Sequence, residues 1–252
     1  PVSELAPTEA QALTGNLVYQ FLSGSNYAYR TLPLDDKLSA VIYDNYLESL
    51  DGNKQFFLAS DIARFDVYRT RLDDAIKGGQ LNPPYEIFRT YLTRVDERIA
   101  YARALLKQEF DFTRDEEYQY DREDAPWAAS AAELDEIWRK SVKNDVLRLK
   151  LAGRSMPEIR ETLDKRYSTL GERVHQLRGD DVFENFMNAY GSAIDPHTSY
   201  MSPRSAENFN MSMRLSLEGV GAVLQVQDEF VVFRTIMPGS PAEKSGVIKP
   251  GD

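Results

Sequence analysis

The stretch LSLEGVGAVLQVQDEFVVFRTIMPGSPAEKSGVIKPGD, Leu215 to Asp252, decides how the whole chain is read. Leu215 and Leu217 close an alternating run that starts at Phe209 and includes Met211 and Met213; its period of two predicts a half-buried strand. Glu218-Gly219-Val220-Gly221 interrupts that run, and Ala222 to Val226 resumes an apolar strand. Two glycines two residues apart permit positive φ and let neighbouring N–H groups converge. Such a nest suits an anion, including the carboxylate that ends a peptide, and the adjoining strand is open to an added peptide strand. The same residues also describe a glycine-kinked hairpin that binds nothing, since short glycine motifs match by chance. Phe230 to Ile236 reads as a second strand and Met237-Pro238-Gly239-Ser240 as a turn. Pro241 to Ser245 is a single helical turn, with Pro at its first position and Gly246 at its end. Lys249-Pro250-Gly251-Asp252 is a further turn.

Upstream the period changes to that of helices. Residues 1–7 read as a loose arm. Ala12, Leu13, Leu17 and Phe21 mark a first helix starting from Thr8, and Leu34, Leu38, Val41, Ile42, Tyr46 and Leu50 a second. Ser60 is placed to cap a third, running to Lys77 and closed by Gly78-Gly79. Pro83-Pro84 opens a fourth, with Phe88, Tyr91, Val95 and Ile99 on its apolar face. Residues 112–129 break the period and read as an ordered acidic loop; the run from Asp115 to Asp124 lacks the ligand spacing and glycine of a calcium loop and reads as a solvated face. Leu134, Trp138, Val142 and Val146 carry a fifth helix, and Ser155-x-x-Glu158 is a capping box for a sixth. A seventh, capped by Asp181, runs to Ile194. The predicted fold is mainly α: a multi-helix domain over residues 8–202, then a β-rich part over 203–252.

Composition narrows the function. In 252 residues, 30 basic side chains face 40 acidic ones; a formal net charge of −10 argues against nucleic acid and anionic membrane as main partners. With no cysteine there is no disulfide framework and no thiol nucleophile. His175 and His197 are far apart, so a histidine-rich metal site is not expected, and no cofactor is called for. Asp195, His197 and Ser199 invite a Ser–His–Asp reading. Three residues two apart on one short loop do not suit two sequential hydrogen bonds, so no catalytic residue is assigned. His197 is expected to hold the loop through hydrogen bonds to backbone.

The order strand, Gly-x-Gly loop, strand, GSPAEKSG and KPGD resembles the first half of a PDZ domain of bacterial protease type. DPHTSYMSPRSAENFNMSMRLSLEGVGAVLQV, with YDNYLESLDGNKQFFLASDIARFD and KLAGRSMPEIRETLDKRY upstream, resembles the tail-specific (carboxyl-terminal processing) proteases of bacteria from about Phe21 to Asp252. The resemblance implies a periplasmic serine endopeptidase with a Ser–Lys dyad, its signal peptide removed, acting on proteins with apolar C-terminal tails. It implies that Gly219, Val220, Gly221 and Ala222 lie at the carboxylate-binding loop, with Leu217 near the tail's apolar side chain. It also implies a helical-repeat lipoprotein adaptor as partner. The PDZ domain is then incomplete and the protease core absent, so these residues alone are expected to be inactive. A non-enzymatic helical scaffold presenting a PDZ domain accommodates the same residues.

Overall fold

The computed structural model describes residues 5–24, 30–214, 219–227 and 230–252. Among them are ten α-helices and one two-stranded antiparallel sheet, divided between two units, Pro1–Tyr200 and Met201–Asp252. The fold is mainly α with a short β part.

Local sequence starts most helices of the first unit. Helix α1 (Glu9–Leu22) begins at Thr8, whose hydroxyl accepts the Gln11 N–H at 3.2 Å while the Gln11 side chain accepts the Thr8 N–H at 3.0 Å. Helix α2 (Asp36–Asp51) is capped by the Asp35 carboxylate, which accepts N–H bonds from Lys37 and Leu38. The single helix expected from Ser60 to Lys77 is instead α3 (Ala59–Phe65) and α4 (Leu72–Gly78), with a 3-10 turn at Asp66–Tyr68 between them. Its cap is also different: the Leu58 N–H is taken by the Asp61 carboxylate at 3.0 Å. The break is held from outside. The Ser39 hydroxyl on α2 donates to the Arg69 carbonyl and accepts the Leu72 N–H, both at 2.9 Å, and so serves backbone groups that the break leaves without helical partners.

Helix α5 (Asn82–Leu105) starts on Pro83-Pro84, and residues 107–129 carry no regular element beyond a bridge from Ala128 to Leu58. Helices α6 (Ala131–Leu151), α7 (Met156–His175) and α8 (Gly179–Ile194) follow. The Ser155/Glu158 cap forms as read, with the Glu158 carboxylate accepting the Ser155 N–H at 2.9 Å. Asp181 lies inside α8 and accepts the Arg178 N–H at 2.8 Å, so it closes the cap from the third position instead of being the cap residue.

Two apolar clusters fill this unit. One gathers Ile42, Tyr46, Phe57, Phe186 and Tyr190; the other gathers Phe88, Val95, Trp138, Val142 and Leu163. Their buried polar tips are satisfied: Tyr46 donates to the Pro84 carbonyl at 3.0 Å and Trp138 to the Gln55 carbonyl at 2.6 Å. Helix α1 is turned relative to its sequence stripe. Leu13, Leu17 and Phe21 are 69%, 63% and 55% exposed, while Gln11, Gly15 and Leu22 face inward. Gln11 is the anchor, donating to Asp180 at 2.8 Å and accepting from the Tyr85 hydroxyl at 2.7 Å.

The second unit contains α9 (Pro203–Met213), β1 (Ala222–Gln227), β2 (Phe230–Ile236) and α10 (Pro241–Ser245). Phe209, Met211 and Met213, expected on a strand, lie on α9; Leu215 and Leu217 are outside the described residues. Ser202 caps this helix and Pro203 occupies its first position, while Ala206, Phe209 and Met213 fall at helical spacing. A short apolar alternation fits both periods, and the cap decides between them.

Candidate functional site

The Gly-x-Gly loop runs into a hairpin whose register is set by its far end. Ala222 pairs with Ile236 and Val226 with Val231, and a bulge between Val223 and Leu224 leaves Arg234 as the extra residue on β2. The Gly251 N–H donates to the Phe233 carbonyl at 2.8 Å and the Phe233 N–H to the Asp252 carbonyl at 2.9 Å, so the KPGD turn closes on β2. Ser240 caps α10 by accepting the Glu243 N–H, and the Glu243 carboxylate returns to the Gly239 N–H at 2.6 Å. That reciprocal cap is legible in Ser240-Pro241-x-Glu243, although its link to the glycine loop is not.

The link is made by two carbonyls. Val220 C=O accepts the Ala242 N–H at 2.9 Å, and Gly221 C=O accepts the Met237 N–H at 2.8 Å. No peptide bond among the described residues is cis. In a trans peptide the N–H points opposite to the C=O. The Gly221 N–H therefore faces away from Ala242 at the start of α10, and the Ala222 N–H away from Met237. Of the two loop glycines, Gly221 takes the left-handed conformation, at φ 74°, and a β-carbon there would stand 2.1 Å from the Ser240 β-carbon. A β-carbon at Gly219 meets nothing within 4 Å. Val220 is 54% exposed. The structure thus brings together Gly219, Val220, Gly221 and Ala222 as one loop entering β1; Leu217 is outside the described residues. Sequence reading missed that Met237 and Ala242 bond the carbonyls of that loop and that Ser240 packs against Gly221.

The segment Asp195–Tyr200 is a turn folded onto its own helix. The Asp195 carboxylate accepts the His197 backbone N–H at 2.8 Å, and the Asp195 carbonyl accepts the Thr198 N–H at 3.0 Å. His197 and Ser199 are exposed, and among the described residues no side-chain hydrogen bond joins Asp195, His197 and Ser199; the loop is fixed by the Asp195 side chain, not by the His197 ring. Asn188 on α8 accepts the Tyr200 N–H at 2.7 Å, and the Tyr200 ring meets Phe183 edge-on at 5.4 Å. His175 is exposed and its ring lies 2.6 Å from the Asp96 carboxylate. Among the described residues, no three acidic or histidine side chains are grouped to hold a metal.

A family model described as "Tail specific protease N-terminal domain" matches residues 18–204. The chain is also 40% identical over 225 residues to the tail-specific protease of Haemophilus influenzae, an alignment covering 89% of this chain and 32% of that protein. This chain belongs to the tail-specific protease family. Two further relatives are the carboxy-terminal processing proteases CtpA and CtpB of Bacillus subtilis, 32% and 30% identical over 94 residues. Those alignments cover 36% of this chain and about a fifth of either relative, 20% and 19%. The chain thus spans about a third of the tail-specific protease it matches. The matched residues begin within α1 and reach the first residues of α9.

Proposed function

We propose that this chain is the N-terminal, substrate-recognition portion of a periplasmic tail-specific serine endopeptidase that acts on proteins with apolar C-terminal tails. The observation that carries this reading is the orientation of the glycine loop. Val220 and Gly221 spend their carbonyls on Ala242 and Met237, which turns the Gly221 and Ala222 N–H groups the other way. A substrate's terminal carboxylate is held by those donors, and its last residues lie along β1 as an added strand. Leu217 and the apolar residues of β1 meet the tail's side chains. None of the serines or lysines in these residues is assigned to the Ser–Lys pair: Lys244 lies in α10, and the Lys249 backbone N–H donates to the Asp252 carboxylate at 2.8 Å. A helical-repeat lipoprotein is the adaptor this reading expects on the helical unit.

The test uses the full-length protease. A peptide ending in small apolar residues is titrated as its free acid and as its C-terminal amide. The acid is expected to bind about tenfold or more tighter, the loss of one charge-assisted hydrogen bond. Equal affinities would leave the loop as a hairpin kink with no role in tail recognition.

A further inference from the structure

The helical unit contains a place where cations and apolar surface meet. The acidic loop after α5 lies against one face of α6, and between them is a cavity of about 140 Å³ lined by Phe112, Tyr118, Leu147, Lys140, Lys143 and Asn144. The space is open to solvent on one side and is of the size of one apolar side chain. On α6, Lys140, Lys143, Asn144 and Leu147 are spaced i, i+3, i+4, i+7 and share one face.

Most of the acidic run is the solvated face its composition suggests, with Asp115, Glu117, Asp121, Glu123 and Asp124 exposed; Glu116 is the exception, turned onto α6. The Glu116 carboxylate pairs with both Arg139 and Lys143. The ammonium groups of Lys150 and Lys143 stand 4.8 and 5.7 Å from the centre of the Phe112 ring. Among the described residues, Lys140 and Asn144 form no hydrogen bond or ion pair, and Lys140 acts on Glu136 only through space. Two uncommitted donors thus flank an apolar floor, in a chain of formal net charge −10. Arg114 completes the cationic side of the lining, and Glu117 stands on it as an opposing exposed carboxylate.

We propose that this cavity binds a short apolar carboxylate: one apolar side chain beside a free carboxylate, as in an N-acylated amino acid or the last residue of a peptide. The side chain rests on Phe112 and Leu147, and the carboxylate takes the Lys140 ammonium and the Asn144 amide. A charge-assisted bond to a carboxylate is among the stronger polar contacts a protein makes, and the apolar side chains beside it add contact area for the ligand's side chain. Glu117 works against the anion and fixes the sign of a control.

The experiment is a residue-resolved NMR titration of this chain with N-acetyl-leucine, with N-acetyl-leucinamide, and with a pentapeptide acid ending in Leu. The free acid is expected to shift the amides of residues 112–118 and 140–147, and the amide to bind about tenfold or more weaker. The pentapeptide shifts the same amides if a chain terminus is the source, and the small acid alone shifts them if a free acid is. Lys140→Met should weaken the acid about tenfold, and Glu117→Gln should tighten it. The reading is overturned by shifts absent from both segments, by equal binding of acid and amide, or by an unchanged affinity in a folded Lys140→Met chain. It is equally overturned if Glu117→Gln fails to tighten binding, which keeps the test decisive if Lys140→Met does not fold. Because the readout is by residue, binding at residues 219–226 is separately visible, and neither site's failure is mistaken for the other's.

Discussion

The two units of this chain are held together by different means. In the first, large side chains such as Tyr43, Tyr46, Tyr85, Phe57, Phe65 and Phe186 are fully buried. In the second, the buried apolar residue among those described is Ala242, while Val226 and Val231 on the strands are 70% and 60% exposed. The second unit is kept in shape by backbone bonds from Met237, Ala242, Gly251 and Phe233, each worth about 1 kcal/mol net. An isolated hairpin is marginal in water, so this is the unit in which an added strand or an apolar partner changes most. Packing defines the helical unit; the hairpin unit presents a surface.

Mutations should break the two units separately. The largest effect is expected from Phe186→Ala, which removes a fully buried ring set edge-on to Tyr46 with centroids 5.5 Å apart. Denaturant unfolding followed by helical circular dichroism should lose about 3–5 kcal/mol. A loss below 1 kcal/mol would mean that the core around α2 and α8 is not what holds the helices.

Asp51 gives a smaller, pH-dependent effect. Its carboxylate accepts the N–H groups of Gln55, Phe56 and Phe57 at 2.8, 2.8 and 2.9 Å and shapes the turn between α2 and α3. Asp51→Asn replaces one acceptor oxygen by a donor that faces an N–H, at a cost of about 1–3 kcal/mol. Burial pushes the Asp51 carboxyl up to about 6, against the three N–H bonds and Arg122, which act to lower it. A raised carboxyl binds its proton more tightly folded than unfolded. The associated stability is therefore present below the ordinary value of 3.8 and is lost as pH rises through about 6. The gap between the native chain and Asp51→Asn should be wider at pH 4 than at pH 7, measured by unfolding at each pH. The opposite trend would show that the N–H bonds outweigh burial.

Gly221→Val sharpens the contrast at the other end. Its β-carbon has no room beside Ser240, and φ 74° is strained for a β-branched residue. Hydrogen exchange at β1 and β2 should accelerate, while the unfolding of the helical unit changes by less than about 0.5 kcal/mol. A matching loss in the helices would join the two units energetically.

What the sequence disclosed follows the same division. Signals from near neighbours were legible: the start of α1 at Thr8, the Ser155 cap, Pro83-Pro84 at the start of α5, and both strands of the hairpin. Contacts made across the fold were not. Ser39 divides the helix expected over residues 60–77 from 30 positions away, as its bond to the Arg69 carbonyl shows. Gln11, a polar residue, turns α1 inward through Tyr85 and Asp180, which leaves Leu13 and Leu17 outside. At the candidate site the glycines and the Ala222 strand were readable, but their carbonyl partners at Met237 and Ala242 lie beyond the hairpin and carry no local signal. The strand expected from Phe209 failed because a period of two in a short run was given more weight than Ser202-Pro203 ahead of it.

The claim that the helical unit stands on its own core is tested most directly by removing the hairpin unit. Residues 1–201 and the whole chain should be melted side by side, followed by far-ultraviolet circular dichroism. The account predicts a strongly helical spectrum and one cooperative transition, with a midpoint within about 2 °C of the whole chain's helical transition. A disordered spectrum, or a midpoint lowered by about 10 °C or more, would contradict it.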